Sequence, residues 1–110
     1  MDAAQMMFFL TAGHALADYP LQGEFLAMGK NRAKPSPFTP WYQALAAHAL
    51  IHGLIVGLIT GIWWLGLAET VAHAAIDDSK CTGKIGFNTD QVLHIACKAA
   101  WVLIAMAVTR

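Results

Sequence analysis

The sequence predicts an all-α fold: an integral-membrane, antiparallel four-helix bundle with a short interfacial helix after helix 1. Three observations carry this reading. Hydrophobic residues make up 57% of the 110, charged residues only 13%, and mean hydropathy is +0.49. A soluble domain has about 25% charged residues, and so short a chain has too little polar surface to cover so much apolar mass in water. Four apolar segments of helical composition alternate with polar, turn-rich ones. The polar residues inside the apolar segments recur at helical spacing. The length suits one domain, residues 1–110, read as a single transmembrane unit with helices at about 2–17, 40–60, 63–78 and 89–108. A net charge of +0 gives no sign of a nucleic-acid partner. Cys81 and Cys97 form no CxxC motif and read as free thiols.

Residues 2–17 open on Asp2 with Gln5 three positions later, a capping box. At 1.5 Å per residue this helix spans only ~24 Å, less than the ~30 Å hydrocarbon layer. Ala15-Leu16-Ala17 resembles a signal-peptide cleavage site, but no basic residue precedes the apolar run, so a retained helix is expected. Residues 20–28 read as a short helix in the membrane interface, with Leu21, Phe25 and Leu26 towards lipid and Gly29 ending it. GKNRAKPSP then reads as an exposed loop.

Thr39 is expected to cap the second long helix, with Pro40 in its first position. Gly53, Gly57 and Gly61 recur every four residues along it. Such a row lets another helix approach closely in lipid, either within the chain, the favoured case, or as a homodimer face. Trp63 and Trp64 suit the membrane–water boundary at the following reversal. After the loop 79–88, Asn88 and Gln91 form a second capping-box pattern for the last helix.

Basic residues set the expected orientation. Lys30, Arg32 and Lys34 lie in one loop and Lys80 and Lys84 in another, with Arg110 on the opposite side. Loops 19–39 and 79–88 are therefore expected in the cytoplasm and both termini outside.

The histidines carry the chemistry. All five sit in i, i+4 pairs: His14/Asp18, His48/His52, His73/Asp77 and Asp90/His94, one pair per predicted helix. Residues so spaced share a helix face and can offer two ligands to one metal. The pairs fall at the end of helix 1, the start of helix 2, the end of helix 3 and the start of helix 4, which an up-down bundle brings to one level. One turn deeper, Glu69 and Lys98 are expected to pair, since either charge alone in hydrocarbon costs several kcal/mol. Glu69 is otherwise an outer partner of a metal ligand or a proton acceptor.

Imidazole with carboxylate suits zinc first, then manganese, iron or nickel. His48, His52, His73 and His94 are the favoured ligands, Asp77 and Asp90 ligands or bridges, and His14 and Asp18 further candidates. Eight candidates exceed the needs of one ion, so one or two ions are expected.

HALADYPLQGEFLAMGKNR, HALIHG, HAAIDDSK and DQVLH resemble a family of small bacterial and phage inner-membrane proteins known chiefly as a domain of unknown function. Its Asp-x-x-Leu-Gln, His-x-x-x-His, His-x-x-x-Asp and Asp-Gln-x-x-His motifs fall here on Asp18, Leu21 and Gln22, on His48 and His52, on His73 and Asp77, and on Asp90, Gln91 and His94. More distantly the chain is similar to inner-membrane metal-dependent hydrolases. That resemblance implies metal-assisted hydrolysis without naming a substrate. The expected function is a membrane-embedded metal-dependent hydrolase acting on a lipid or other membrane-associated ester or phosphoester. In it Asp77, Asp90 or Glu69 would take a proton from water, and Gln22 would orient substrate. The alternative is a non-enzymatic protein with a structural, sensing or transport metal site.

Overall fold

The structure, a computed structural model, describes residues 1–109; Arg110, used above for orientation, lies outside the described residues. It is all-helical, with α1 at Ala3–Asp18, α2 at Gly23–Gly29, α3 at Trp41–Thr60, α4 at Trp63–Cys81 and α5 at Phe87–Val108. No strand occurs among the described residues. α1 packs on α3, α3 on α4, α4 on α5 and α5 on α1, closing a ring of four; α2 lies against α3. The body measures 48 × 22 × 21 Å.

The ends of the helices show where local signals were sufficient. At α1, Gln5 N–H donates to Asp2 Oδ1 at 2.8 Å and Asp2 N–H donates to Gln5 Oε1 at 3.0 Å, the expected box. α2 starts at Gly23, later than residue 20, because Gly23 carries a positive φ of 63° that breaks the path from Pro20. Pro40, not Thr39, is the N-cap of α3: its ψ of 134° is extended, so the helix opens at Trp41. α3 stops at Gly61, whose left-handed φ of 71° forms the C-cap.

α4 runs past the expected residue 78 to Cys81. Ser79 and Thr82 hydroxyls donate to Ala75 O and Asp78 O, and Lys80 complements the carbonyl end of the dipole. The Asn88–Gln91 box does not form. α5 begins at Phe87 with Gly86 as N-cap, which places Asn88 inside the helix and frees the Gln91 amide for tertiary contacts.

α3 and α4 touch backbone to backbone. A Cβ on Gly66 would stand 2.6 Å from Gly53 O, and one on Gly53 would stand 1.9 Å from Thr70 Oγ1. The glycine row is thus engaged within the chain at Gly53 and Gly57, while Gly61 serves the turn.

Two helices are long and apolar enough to cross a membrane, α3 with 20 residues and α5 with 22. α1 has only 16 residues, and α4 carries Glu69, Asp77, Asp78 and Lys80, so the four-span expectation does not rest on length and composition in these two. Large apolar side chains face outward all round: Phe8, Leu54, Leu58, Trp63, Val71 and Leu103 are exposed. The interior divides in two. One end is apolar, built from Met6, Leu10, Val56, Leu65, Val102 and Ala105. The other is polar.

Candidate metal centre

The polar end is assembled by helical period. His14 and Asp18 on α1, His48 and His52 on α3, Glu69, His73 and Asp77 on α4, and Asp90, His94 and Lys98 on α5 each step by four residues and so project inward as columns. All ten are buried except Asp18, which is partly so.

Asp18 Oδ1 is the hub of one group. It lies 2.9 Å from His52 Nε2, 3.3 Å from His48 Nε2 and 4.0 Å from His73 Nε2. His48 Nε2 and His73 Nε2 face each other at 3.2 Å. Donors about 2.0–2.2 Å from a tetrahedral ion stand about 3.3–3.6 Å apart; the separations at His48 are close to this, while Asp18 and His52 stand at hydrogen-bond distance and Asp18 and His73 are wider apart. Asp77 Oδ2 adds a fifth donor, 3.3 Å from His48 Nε2 and 3.4 Å from His73 Nε2.

Beside it, His94 Nε2 lies 3.1 Å from Asp77 Oδ1 and 3.3 Å from Asp90 Oδ1. Three sets could each hold a metal ion, with donors mutually within 4.8 Å: Asp18, His48, His52 and His73; Glu69, His73 and His94; and Asp77, Asp90 and His94. His14 is in none of them. Its Nε2 lies 3.2 Å from both Asp18 Oδ2 and Gln91 Oε1, so it stands behind Asp18.

Glu69 pairs with the Lys98 ammonium, as the register implied, and is further engaged by His73 Nδ1 at 3.3 Å and Trp101 Nε1 at 2.6 Å. Both its oxygens are engaged, which fits a group that orients His73 better than a proton acceptor.

The charges are unequal. Four carboxylates, Asp18, Glu69, Asp77 and Asp90, share this interior with two ammonium groups, Lys30 and Lys98. If every imidazole is neutral, as a metal ligand must be, two negative charges lack a counter-charge, a costly state in a low-dielectric interior that one divalent ion would balance.

Three participants were not among the expected ligands or site residues. Lys30, expected in an exposed loop, is buried, and its Nζ donates to Asp77 Oδ2 at 2.7 Å and to Gln22 Oε1 at 2.5 Å. No periodicity marks a loop residue that folds back. Gln91 donates to Asp90 Oδ2 at 3.1 Å and approaches Asp18 Oδ2 at 3.4 Å. Trp101 follows Lys98 by three residues on one face, a spacing that could have revealed it.

Gln22 has both amide atoms occupied, one by Lys30 and the other by Asp18 O at 3.1 Å. It braces the loop, and its amide still has a second N–H and a second oxygen lone pair beside the cavity it helps to wall. A cavity of about 200 Å³ opens over Asp18 and Asp77, walled by Gln22, Lys30, Lys80 and Gln91. On the surface Arg32 makes two bonds to Asp78, at 2.8 and 3.1 Å, and that carboxylate raises the guanidinium pKa. Cys81 and Cys97 are both free.

Residues 6–110 match a family described as a protein of unknown function (DUF3307), and the chain belongs to it. No curated protein and no solved structure matches the chain.

Proposed function

We propose that the protein is a membrane-embedded, metal-dependent hydrolase of the bacterial inner membrane. Its substrate would be a lipid or another membrane-associated phosphoester or ester. One observation carries the reading: Asp18, His48, His52 and His73, from three helices, aim ligand atoms at one point in an interior short of positive charge. The exposed apolar side chains of all four long helices support a bilayer setting, with the shorter α1 and the more charged α4 as spans flanked by α3 and α5. Loops 19–39 and 79–88, beside the polar end, would face the cytoplasm.

The four ligands suit zinc first, then manganese, iron or nickel. When bound, a divalent ion acidifies a coordinated water to a pKa of about 7 and polarises a phosphoryl or carbonyl oxygen. Around it the side chains divide the work. Glu69 fixes the His73 ring through Nδ1, and Trp101 and Lys98 fix Glu69. Of the three carboxylates considered as proton acceptors, only Asp77 lines the cavity by which water and substrate enter. Asp77 is therefore the group that takes the proton. The ammonium groups of Lys30 and Lys80 flank that cavity and favour an anionic group, a phosphoester over a neutral ester.

The test is metal content of the detergent-purified chain, then hydrolysis of a phospholipid and phosphoester panel. Wild type should retain zinc or manganese, and His48→Ala should lose it. Metal retained at the wild-type level in His48→Ala overturns the centre as assigned. A metal-loaded protein that cleaves nothing on the panel overturns the hydrolase.

A second reading has its own observation. Four protein ligands are the full complement of a structural zinc site, and Asp18, His48, His52 and His73 supply four. A non-enzymatic metal site, structural or sensing, follows from that closure. Transport fits less well, because the polar columns stop at Glu69, Lys98 and Trp101 and the interior beyond them is apolar. A loaded centre that exchanges no water ligand for fluoride or phosphate favours this second reading.

A further inference from the structure

The first four ligands leave a second set unused. Asp77 Oδ1, Asp90 Oδ1 and His94 Nε2 converge beside them, and nothing in the first set requires them. Asp90 is 1% exposed, and its Oδ1 is buried without a hydrogen-bond partner. A buried carboxylate oxygen left unpaired is costly. This one is aimed at His94 Nε2, 3.3 Å away, whose other neighbour is Asp77 Oδ1 at 3.1 Å.

Asp77 faces both sets with different atoms. Its Oδ2 lies beside His48 and His73, and its Oδ1 beside His94. Each carboxylate oxygen has two lone pairs, so Oδ2 can accept from Lys30 at 2.7 Å and still serve as a ligand. A carboxylate shared in this way is how two-metal hydrolytic sites hold their ions about 3.5–4 Å apart.

We propose that the centre binds two divalent ions: one on Asp18, His48, His52 and His73, the second on Asp77, Asp90 and His94, with Asp77 bridging them. This rests on the metal-binding reading above and deepens it. Two ions carry four positive charges against the excess of two negative ones. The surplus calls for an anion, and the cavity bounded by Lys30 and Lys80 admits one at Asp77. The substrate class that follows is a phosphomonoester or phosphodiester, whose anionic oxygens could span both ions. Asp77 and Asp90 are then both ligands, and the proton that a single-ion site would give to Asp77 passes instead to water in the cavity.

The experiment is metal stoichiometry of the full chain in detergent after loading with manganese alone, with electron paramagnetic resonance of the same samples. Wild type is expected to hold two ions per chain and to give an exchange-coupled spectrum. Asp90→Asn is expected to hold one ion per chain and to give an isolated Mn(II) signal. His94→Gln should do the same, and circular dichroism of both variants controls for folding. One ion per chain in saturated wild type, or an uncoupled spectrum, overturns the two-ion proposal and leaves the single-metal reading standing. No bound manganese or zinc overturns both. Two coupled ions surviving in both folded variants also overturn the assignment. Inorganic phosphate and phospholipid vesicles, added separately to the loaded protein, separate the two sources of the anion. A spectral change with phosphate alone points to a soluble phosphoester, and one with vesicles alone points to a headgroup. A change with neither overturns the anion inference.

Discussion

The two ends of the interior are built from the same four helices and held by opposite means. At the apolar end, Leu10, Val56 and Leu65 fill space and are interchangeable in kind. At the polar end, most large buried side chains are hydrogen-bonding or charged groups with specific neighbours. Trp101 marks the border: its ring packs on the apolar cluster while its N–H bonds Glu69. The difference teaches that helical period sets where side chains point but not what holds them. One end is stabilised by apolar packing within the chain, whereas the other, under the proposed function, would be completed by a bound ion.

That contrast can be broken experimentally, and the largest effect is expected at the border. Lys98→Met leaves Glu69 a buried charge without its partner, and should cost about 3–5 kcal/mol in detergent unfolding. Adding Glu69→Gln should recover most of it. A single variant as stable as wild type would mean that the pair is not buried as described.

At the apolar end, Leu10→Ala should cost about 2–5 kcal/mol in the same unfolding assay. It should leave manganese affinity unchanged, because Leu10 lies in the apolar cluster. A matching fall in metal affinity would join the two ends into one cooperative unit. Gly66→Ala pushes a Cβ to 2.6 Å from Gly53 O. Forcing α3 and α4 apart should cost about 1–3 kcal/mol, and it should also weaken metal binding, since both helices carry ligands. Loss of stability with intact affinity would show that the hairpin can yield without moving its histidines. The smallest effect is expected from Arg32→Ala, whose guanidinium bonds Asp78 at the surface. Its melting temperature should be close to that of wild type, and a large drop would place the loop among the structural supports of the centre.

Much of the polar end was legible because it is written in steps of four. The His and Asp pairs, and the level match of Glu69 with Lys98, needed only the helical period and short connections. What escaped was set by tertiary contact. Lys30 enters from a loop that has no period, and its basic charge read as an orientation signal when it is the partner of a buried aspartate. Gln91 read as a capping residue because Asn88 stood three positions before it, but α5 begins at Phe87 and the amide turned to Asp18 and Asp90. The glycine row was legible as a close approach, with the partner helix identified only by the fold.

The contact of Gly53 with Gly66 also bears on how the centre is assembled. The tight turn at Gly61 and this contact make α3 and α4 a local hairpin. His48, His52 and His73 all ride on it. Three imidazoles are therefore gathered by neighbouring stretches of chain, which requires little loop-closure entropy. Only Asp18 must arrive from a distant segment to finish the first ligand set. If the proposed ion binds, such a hairpin would offer it three ligands before the outer helices dock, and the ion would then act as a template for folding as well as a final occupant.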